Sequence, residues 1–293
     1  MKSKLMEQEK KGIKGDTSTD FPIMFIVAPP RSGTTLLYQL ISLKYDVFYP
    51  TNLIAKFYNA PYDFLKSIGD LDIFSQRMSS DFKSDLGNTN SIFEPHEWGW
   101  FWERFLCNEE NTLVNELSAI QSLYPKPMLF KNIYFNYNIE FLANTINQSI
   151  FLRIKRDEVD TINSIYNAIL KRGFPIGSKY HKEAYEKFIN KPLELATIEY
   201  FFDEKTLDEH LGDKKVINIS YEKMIHNLDE VLDLIENKFF QYTGSELSKK
   251  SIEINKFEKQ TIVDDKIKVE IEKLVMKYSA YTLEALNKVL FGV

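Results

Sequence analysis

One cysteine, four histidines and no long apolar run are what the 293-residue sequence offers in those categories, and each shortage removes a class of function. Cys107 alone cannot close an intrachain disulfide, and no Cys/His cluster has metal-ligand spacing, so no metal site is expected. A small apolar role beside a helix rich in aromatics suits Cys107 best. Surplus positive charge is missing too: 37 Lys and Arg stand against 42 Asp and Glu, a formal net charge of -5. Without a basic excess the chain has no electrostatic footprint for nucleic acid, and an anionic ligand must be held by a local site. No apolar stretch reaches the ~18 residues of a membrane-spanning helix. Residues 1–20 are polar and lysine-rich, without the apolar core of a secretory signal. They read as a flexible leader to one domain over residues 21–293, in a cytoplasmic protein.

What is present is ordinary globular material, 44% hydrophobic and 27% charged, enough for a sizeable core. Residues 21–28 (FPIMFIVA) are continuously apolar, the pattern of a parallel strand buried on both faces. Further strands are expected at 127–131, 149–154 and 215–219. Helical spacing follows them near 134–144, 158–171 and 228–240. This alternation predicts an α/β fold, a P-loop-type parallel β-sheet flanked by helices. A large aromatic-rich helical insertion is expected at roughly 52–123 and a second helical stretch at about 178–211. From Lys266 onward the apolar positions suit a packing helix.

The first strand runs into Pro29-Pro30-Arg31-Ser32-Gly33, and Thr34 to Leu43 has helical spacing. Strand, tight glycine-containing loop and helix form a phosphate cradle, because backbone N–H groups and the helix N-terminus favour an anion. Set against GxxxxGK[ST], Gly33 and Thr35 occupy the second glycine and the hydroxyl position. Thr34 stands where a nucleotide triphosphatase has its lysine, Ala28 replaces the first glycine, and the positive charge has moved into the loop as Arg31. The loop therefore suits a 5′-phosphate carrying something other than a phosphoanhydride chain.

The segment Pro30-Arg31-Ser32-Gly33-Thr34-Thr35 resembles the 5′-phosphosulfate loop of the sulfotransferase family, in its arginine form. The resemblance implies transfer of a sulfuryl group from 3′-phosphoadenosine 5′-phosphosulfate (PAPS), leaving PAP. It implies Arg31, Ser32, Gly33, Thr34 and Thr35 as cofactor-binding residues, with Arg31 also an electrophilic helper. The family's second signature is an Arg at a strand end and a Ser eight residues on, which bind the 3′-phosphate. Arg156 and Ser164 have that spacing, and a guanidinium with a hydroxyl is sound phosphate chemistry. Arg153, two residues earlier, reads as a plain strand charge. Ser220-Tyr221-Glu222 resembles the segment whose tyrosine lies against adenine, which makes Tyr221 either a ligand contact or a structural aromatic. The family's C-terminal basic loop has no recognisable counterpart, although Lys256 and Lys259 lie near its place.

Sulfuryl transfer needs a base for the acceptor hydroxyl, positive charge on the leaving oxygen and a dry site. No metal is required, because the sulfuryl group carries less negative charge than a phosphoryl. The leading base region is Glu94-Pro95-His96-Glu97. His96 has an ordinary pKa near ~6.5, and Glu94 or Glu97 can hold its imidazole or act directly. All three tryptophans follow at once, at 98, 100 and 102, and are expected to wall the pocket. This segment and residues 51–58 resemble a bacterial branch that includes natural-product tailoring enzymes. Lys131, closing its strand, resembles the family lysine that meets the bridging oxygen and leaving phosphate. The acceptor is expected to be a small-molecule, lipid-like or carrier-bound hydroxyl. Two alternatives stay open: a P-loop kinase or NTPase, and a non-catalytic member that binds PAP or PAPS without transfer.

Overall fold

The computed structural model describes residues 13, 19–69, 73–74, 82, 84, 89–106, 112–173, 181–252, 254 and 263–292. Most of the expected leader, Cys107, Lys256 and Lys259 lie outside them. The four expected strands are β1 (Ile23–Val27), β2 (Met128–Lys131), β3 (Ser149–Lys155) and β4 (Val216–Ser220). All pairings are parallel, in the order β2-β1-β3-β4. β1 and β3 lie inside the sheet, which explains their near-continuous apolar runs. β1 is buried throughout, whereas β4, on the edge, alternates in burial.

Register sets an aromatic row across the sheet, because Phe25 pairs with Phe130 on one side and Phe151 on the other. Their ring centroids lie 6.1 and 5.8 Å from that of Phe25. Trp102 and Phe135 meet Phe25 edge-on at 5.9 and 5.0 Å, the arrangement that ring quadrupoles favour. Trp102 belongs to the insertion, so the insertion is built onto the sheet through this cluster.

The flanking helices follow the sequence pattern closely. α1 (Thr34–Lys44) packs on β1 and β2. The insertion contributes a 3₁₀ turn at Ile54–Phe57, then α2 (Pro61–Ile68), α3 (Gly99–Leu106) and α4 (Leu113–Leu123). Buried Arg104 of α3 forks Glu116 of α4 at 2.6 and 3.1 Å, a bidentate pair that fixes the two helices together. Gln121 of α4 ties down the entry to β1, accepting from the Phe21 N–H and donating to its carbonyl.

After β2 the expected helix is divided. A 3₁₀ turn at Ile133–Tyr137, capped by the Asn132 side chain, precedes the short α5 (Ile139–Thr145). α6 (Glu158–Arg172) opens on Asp157, whose carboxylate accepts from the Asp160 N–H, and closes on Gly173 in the left-handed conformation. α7 (His181–Phe188) and α8 (Pro192–His210) fill the second helical stretch, and α9 (Tyr221–His226) with α10 (Leu228–Thr243) follows β4. The C-terminal segment forms two helices and not one, α11 (Asp265–Tyr278) and α12 (Leu283–Phe291). Thr282 causes the break, because its hydroxyl accepts from the Ala285 N–H and starts a new helix. With α6, α7 and α8 these two helices enclose a second apolar cluster beside the one under the sheet.

Candidate active site

The loop after β1 owes its shape to two residues in the left-handed region, Arg31 at φ 67° and Gly33 at φ 96°. Gly33 is required there twice over. Its φ suits glycine, and a Cβ would stand 2.4 Å from Cδ2 of Tyr221. Gly33 is also the N-terminal cap of α1, so the first N–H groups of the helix open onto the loop. Asn136 anchors the approach from below, its buried amide donating to the Ala28 carbonyl at 2.9 Å.

Arg156 closes the loop from the side. It leaves the end of β3, donates to the Arg31 carbonyl at 2.9 Å, and lies over the Tyr221 ring with its guanidinium 4.4 Å from the centroid. Arg31 in turn donates from Nε to Ser164 Oγ at 3.2 Å. Arg31, Gly33, Arg156, Ser164 and Tyr221, drawn from three separate parts of the chain, therefore form one cluster. Glu222 braces the same corner by accepting from the Asp157 N–H at 2.9 Å and from the Ser220 hydroxyl at 3.0 Å. Arg153 is elsewhere: it is buried in ion pairs with Glu204 and Asp208, both at 2.6 Å, and fastens β3 to α8.

Lys131, at the end of β2, reaches the opposite side of the loop. Its ammonium donates to Thr35 Oγ1 at 3.4 Å and forms an ion pair with Glu97. Asn132 supports that pair by donating from Nδ2 to the Glu97 carbonyl at 3.1 Å. His96 is half-buried beside them. Burial lowers its pKa below the ordinary histidine value; Glu97 pulls the other way, and Lys131 lowers it further. The His96 backbone is pinned by its N–H to the Pro50 carbonyl at 2.8 Å and by Tyr38 Oη on its own carbonyl at 3.3 Å.

The three carboxyl and imidazole candidates do not share one place. Glu97 and His96 lie with Lys131, whereas Glu94 is buried and accepts from Gln39 of α1 at 3.1 Å. The tryptophans do not wall the pocket together as expected. Trp98 and Trp102 are core residues, Trp98 stacking on Phe101 at 3.8 Å, while Trp100 is 64% exposed and faces Tyr58. The helical phase of α3 is the reason: Phe101, Trp102 and Phe105 share its buried side and Trp100 falls outside it.

Sequence reasoning missed Asn132, Asn136, Tyr38 and Gln39, which hold the site residues in place. Tyr38 and Gln39 fall outside the side of α1 that Leu36, Leu37, Leu40 and Ile41 define, yet both are buried with the rest of Leu37–Leu43, so the spacing carried no signal for them. Among the described residues there is no group of three or more His, Cys, Asp or Glu suited to a metal ion. Nor is any described helix long and apolar enough to cross a membrane.

A family model described as "Sulfotransferase family" matches residues 22–239. Solved structures that resemble this one include the sulfotransferase domain from the curacin biosynthetic pathway, at 13% identity and a TM-score of 0.42, covering 90% of this chain and 100% of that one. The sulfotransferase domain of the Synechococcus PCC 7002 olefin synthase matches at 13% identity and 0.41, covering 77% and 75%. Sulfotransferase STF1 from Mycobacterium tuberculosis matches at 12% identity and 0.48, covering 100% and 81%. No curated protein matches the sequence.

Proposed function

Because the chain belongs to the sulfotransferase family, we propose that it works in the cytoplasm as a PAPS-dependent enzyme that transfers a sulfuryl group to a hydroxyl of a small-molecule, lipid-like or carrier-bound acceptor. The observation that carries this reading is the contact between Arg31 and Ser164, 133 positions apart in sequence and 3.2 Å apart in space. It joins the loop suited to a 5′-phosphosulfate with the Arg156/Ser164 pair suited to a 3′-phosphate. A donor with phosphates at both ends of one ribose fits such a joined site.

In this reading the N–H groups at the start of α1, with Ser32, Thr34 and Thr35, hold the 5′-phosphate. Arg156 and Ser164 hold the 3′-phosphate, and Tyr221, packed between Gly33 and Arg156, offers its ring to the adenine. PAPS supplies the activated sulfuryl group. Arg31 and Lys131 stabilise the charge that develops on the leaving oxygen. The Glu94–Glu97 segment serves the acceptor side, where His96 and Glu97 lie within reach of Lys131's surroundings. Trp100, just after this segment, lies against Tyr58, and Phe57 stacks on Phe64 at 4.0 Å; exposed rings of this kind suit an acceptor with an apolar body.

Radiolabelled PAPS tests this directly, offered with phenolic, acyl-chain and sugar alcohols in the presence of EDTA. Label should pass to an acceptor without added metal, because Arg31, Lys131 and the α1 N-terminus supply the positive charge. Transfer from labelled ATP but not from PAPS, restored by magnesium after chelation, would instead support a kinase. Tight PAP binding with no transfer to any acceptor would support a non-catalytic member.

A further inference from the structure

The acceptor segment contains a residue in a costly backbone conformation. Trp98 has φ 53°, in the left-handed region, which is rare for a bulky side chain and persists only where the surroundings over-determine it. Here they do. The indole is 1% exposed and stacked on Phe101, and the Trp98 carbonyl accepts from the N–H groups of Phe101 and Trp102 to begin α3.

This conformation turns the Trp98 N–H onto Nδ1 of His96, at 2.8 Å. An N–H donor on Nδ1 requires a lone pair there. The flipped ring would set a carbon against the same N–H, so the contact also fixes the orientation of the ring. A neutral imidazole with a lone pair on Nδ1 carries its proton on Nε2, at the far end of the ring from the backbone. That nitrogen donates and does not accept. Burial disfavours a second proton on the ring, with Glu97 opposing and Lys131 adding to the effect.

We propose that His96 acts as a neutral N–H donor through Nε2, held in that tautomer by the Trp98 amide, and that Glu97 takes the acceptor's proton. The proposal rests on the sulfotransfer reading above. In the step, the acceptor O–H bond breaks and its proton passes to a Glu97 carboxylate oxygen while the acceptor oxygen bonds to sulfur. The bond from sulfur to the 5′-phosphate oxygen breaks, and its electron pair leaves on the phosphate, where Lys131 and Arg31 meet it. His96 donates to a sulfuryl oxygen and has the same protonation before and after. Lys131 releases Glu97 as it turns to the phosphate, which frees the carboxylate for the proton. Trp98 is a positioning residue in this scheme, acting through its backbone alone.

The test is the tautomer of His96, read by NMR on the full chain labelled with the NMR-active nitrogen isotope in histidine. The His96 signals are identified by their loss in His96→Gln. The expected result at neutral pH, with and without PAP, is a protonated Nε2 and an unprotonated Nδ1. A protonated Nδ1, as the other tautomer or as imidazolium, overturns the proposal. Turnover gives a second arm, using sulfate release from radiolabelled PAPS with water as acceptor. His96→Gln, whose amide keeps an N–H donor, should stay within about tenfold of the parent, while Glu97→Gln falls by about 10²–10⁴-fold. The reverse ranking would make His96 the base. Failure of PAP to bind at all strikes the sulfotransfer reading instead, whereas the tautomer is read on the free protein.

Discussion

If PAP binds where Lys131 lies, it must compete with Glu97 for the ammonium. Removing the competitor should therefore tighten binding. The side chains of Lys131 and Glu97 are 12% and 36% exposed, so their ion pair is screened on one side and contributes about 0.2–1 kcal/mol. Glu97→Gln should return that amount to the nucleotide and lower the PAP Kd by about 1.4–5-fold. Lys131→Met removes a charge-assisted contact of about 1.5–3 kcal/mol and should weaken PAP by about 10–150-fold. Titration calorimetry at fixed ionic strength reads both variants. Glu103→Gln, on the exposed side of α3, controls for the loss of one negative charge anywhere on the surface. It should leave PAP affinity within error of the parent. Weaker binding in Glu97→Gln, or unchanged binding in Lys131→Met, would show that PAP and Glu97 do not exchange on Lys131.

Gly33→Ala should both strain the loop, at a cost of about 1–3 kcal/mol, and push Tyr221 from beneath Arg156. PAP should bind at least about tenfold more weakly and the thermal midpoint should fall. Adding Tyr221→Ala relieves the clash but not the φ of 96°, so stability should recover only in part; unchanged PAP affinity in Gly33→Ala would remove that packing from the site. Glu194, on α8, is pushed up by burial, but Lys277, Tyr278 and Lys191 donate to it and hold its pKa at about 2. A depressed folded-state pKa stabilises above the unfolded value of about 4.3 and is lost as pH falls through the folded one. Glu194→Gln should therefore lower the thermal midpoint at neutral pH, with the difference from the parent vanishing as pH approaches 2; a difference constant with pH would show that the ion pairs are not its source.

The sheet was legible in the sequence because inner parallel strands need long apolar runs, and residues 21–28 and 149–154 have them. The loop was legible for a similar reason: Gly33 and the run of small polar residues after it fit few other structures. The C-terminal break was not, since Thr282 stops a helix only through a single side-chain bond that competes with an otherwise good helical period. The tryptophans misled because their crowding in sequence hides a helical phase that separates Trp100 from Trp102. The roles of Asn136, Tyr38 and the Trp98 amide could not be read at all. Each works through a bond to or from backbone at a distant or strained position, and no spacing rule encodes such a partner. Glu94 and Glu97 looked equivalent in sequence, three residues apart, yet one faces Gln39 and the other Lys131.

Calorimetry of PAP against AMP isolates the need for a donor carrying phosphate at both the 5′ and 3′ positions. The two ligands differ only in the 3′-phosphate assigned to Arg156 and Ser164. A charge-assisted contact of this kind contributes about 1.5–3 kcal/mol, so PAP should bind about 10–150-fold more tightly than AMP. Arg156→Ala should narrow that gap by weakening PAP more than AMP, although AMP also loses some affinity because Arg156 braces the Arg31 carbonyl and the Tyr221 ring. Equal affinities for PAP and AMP in the parent protein would contradict the assignment of the 3′-site and, with it, PAPS as the donor.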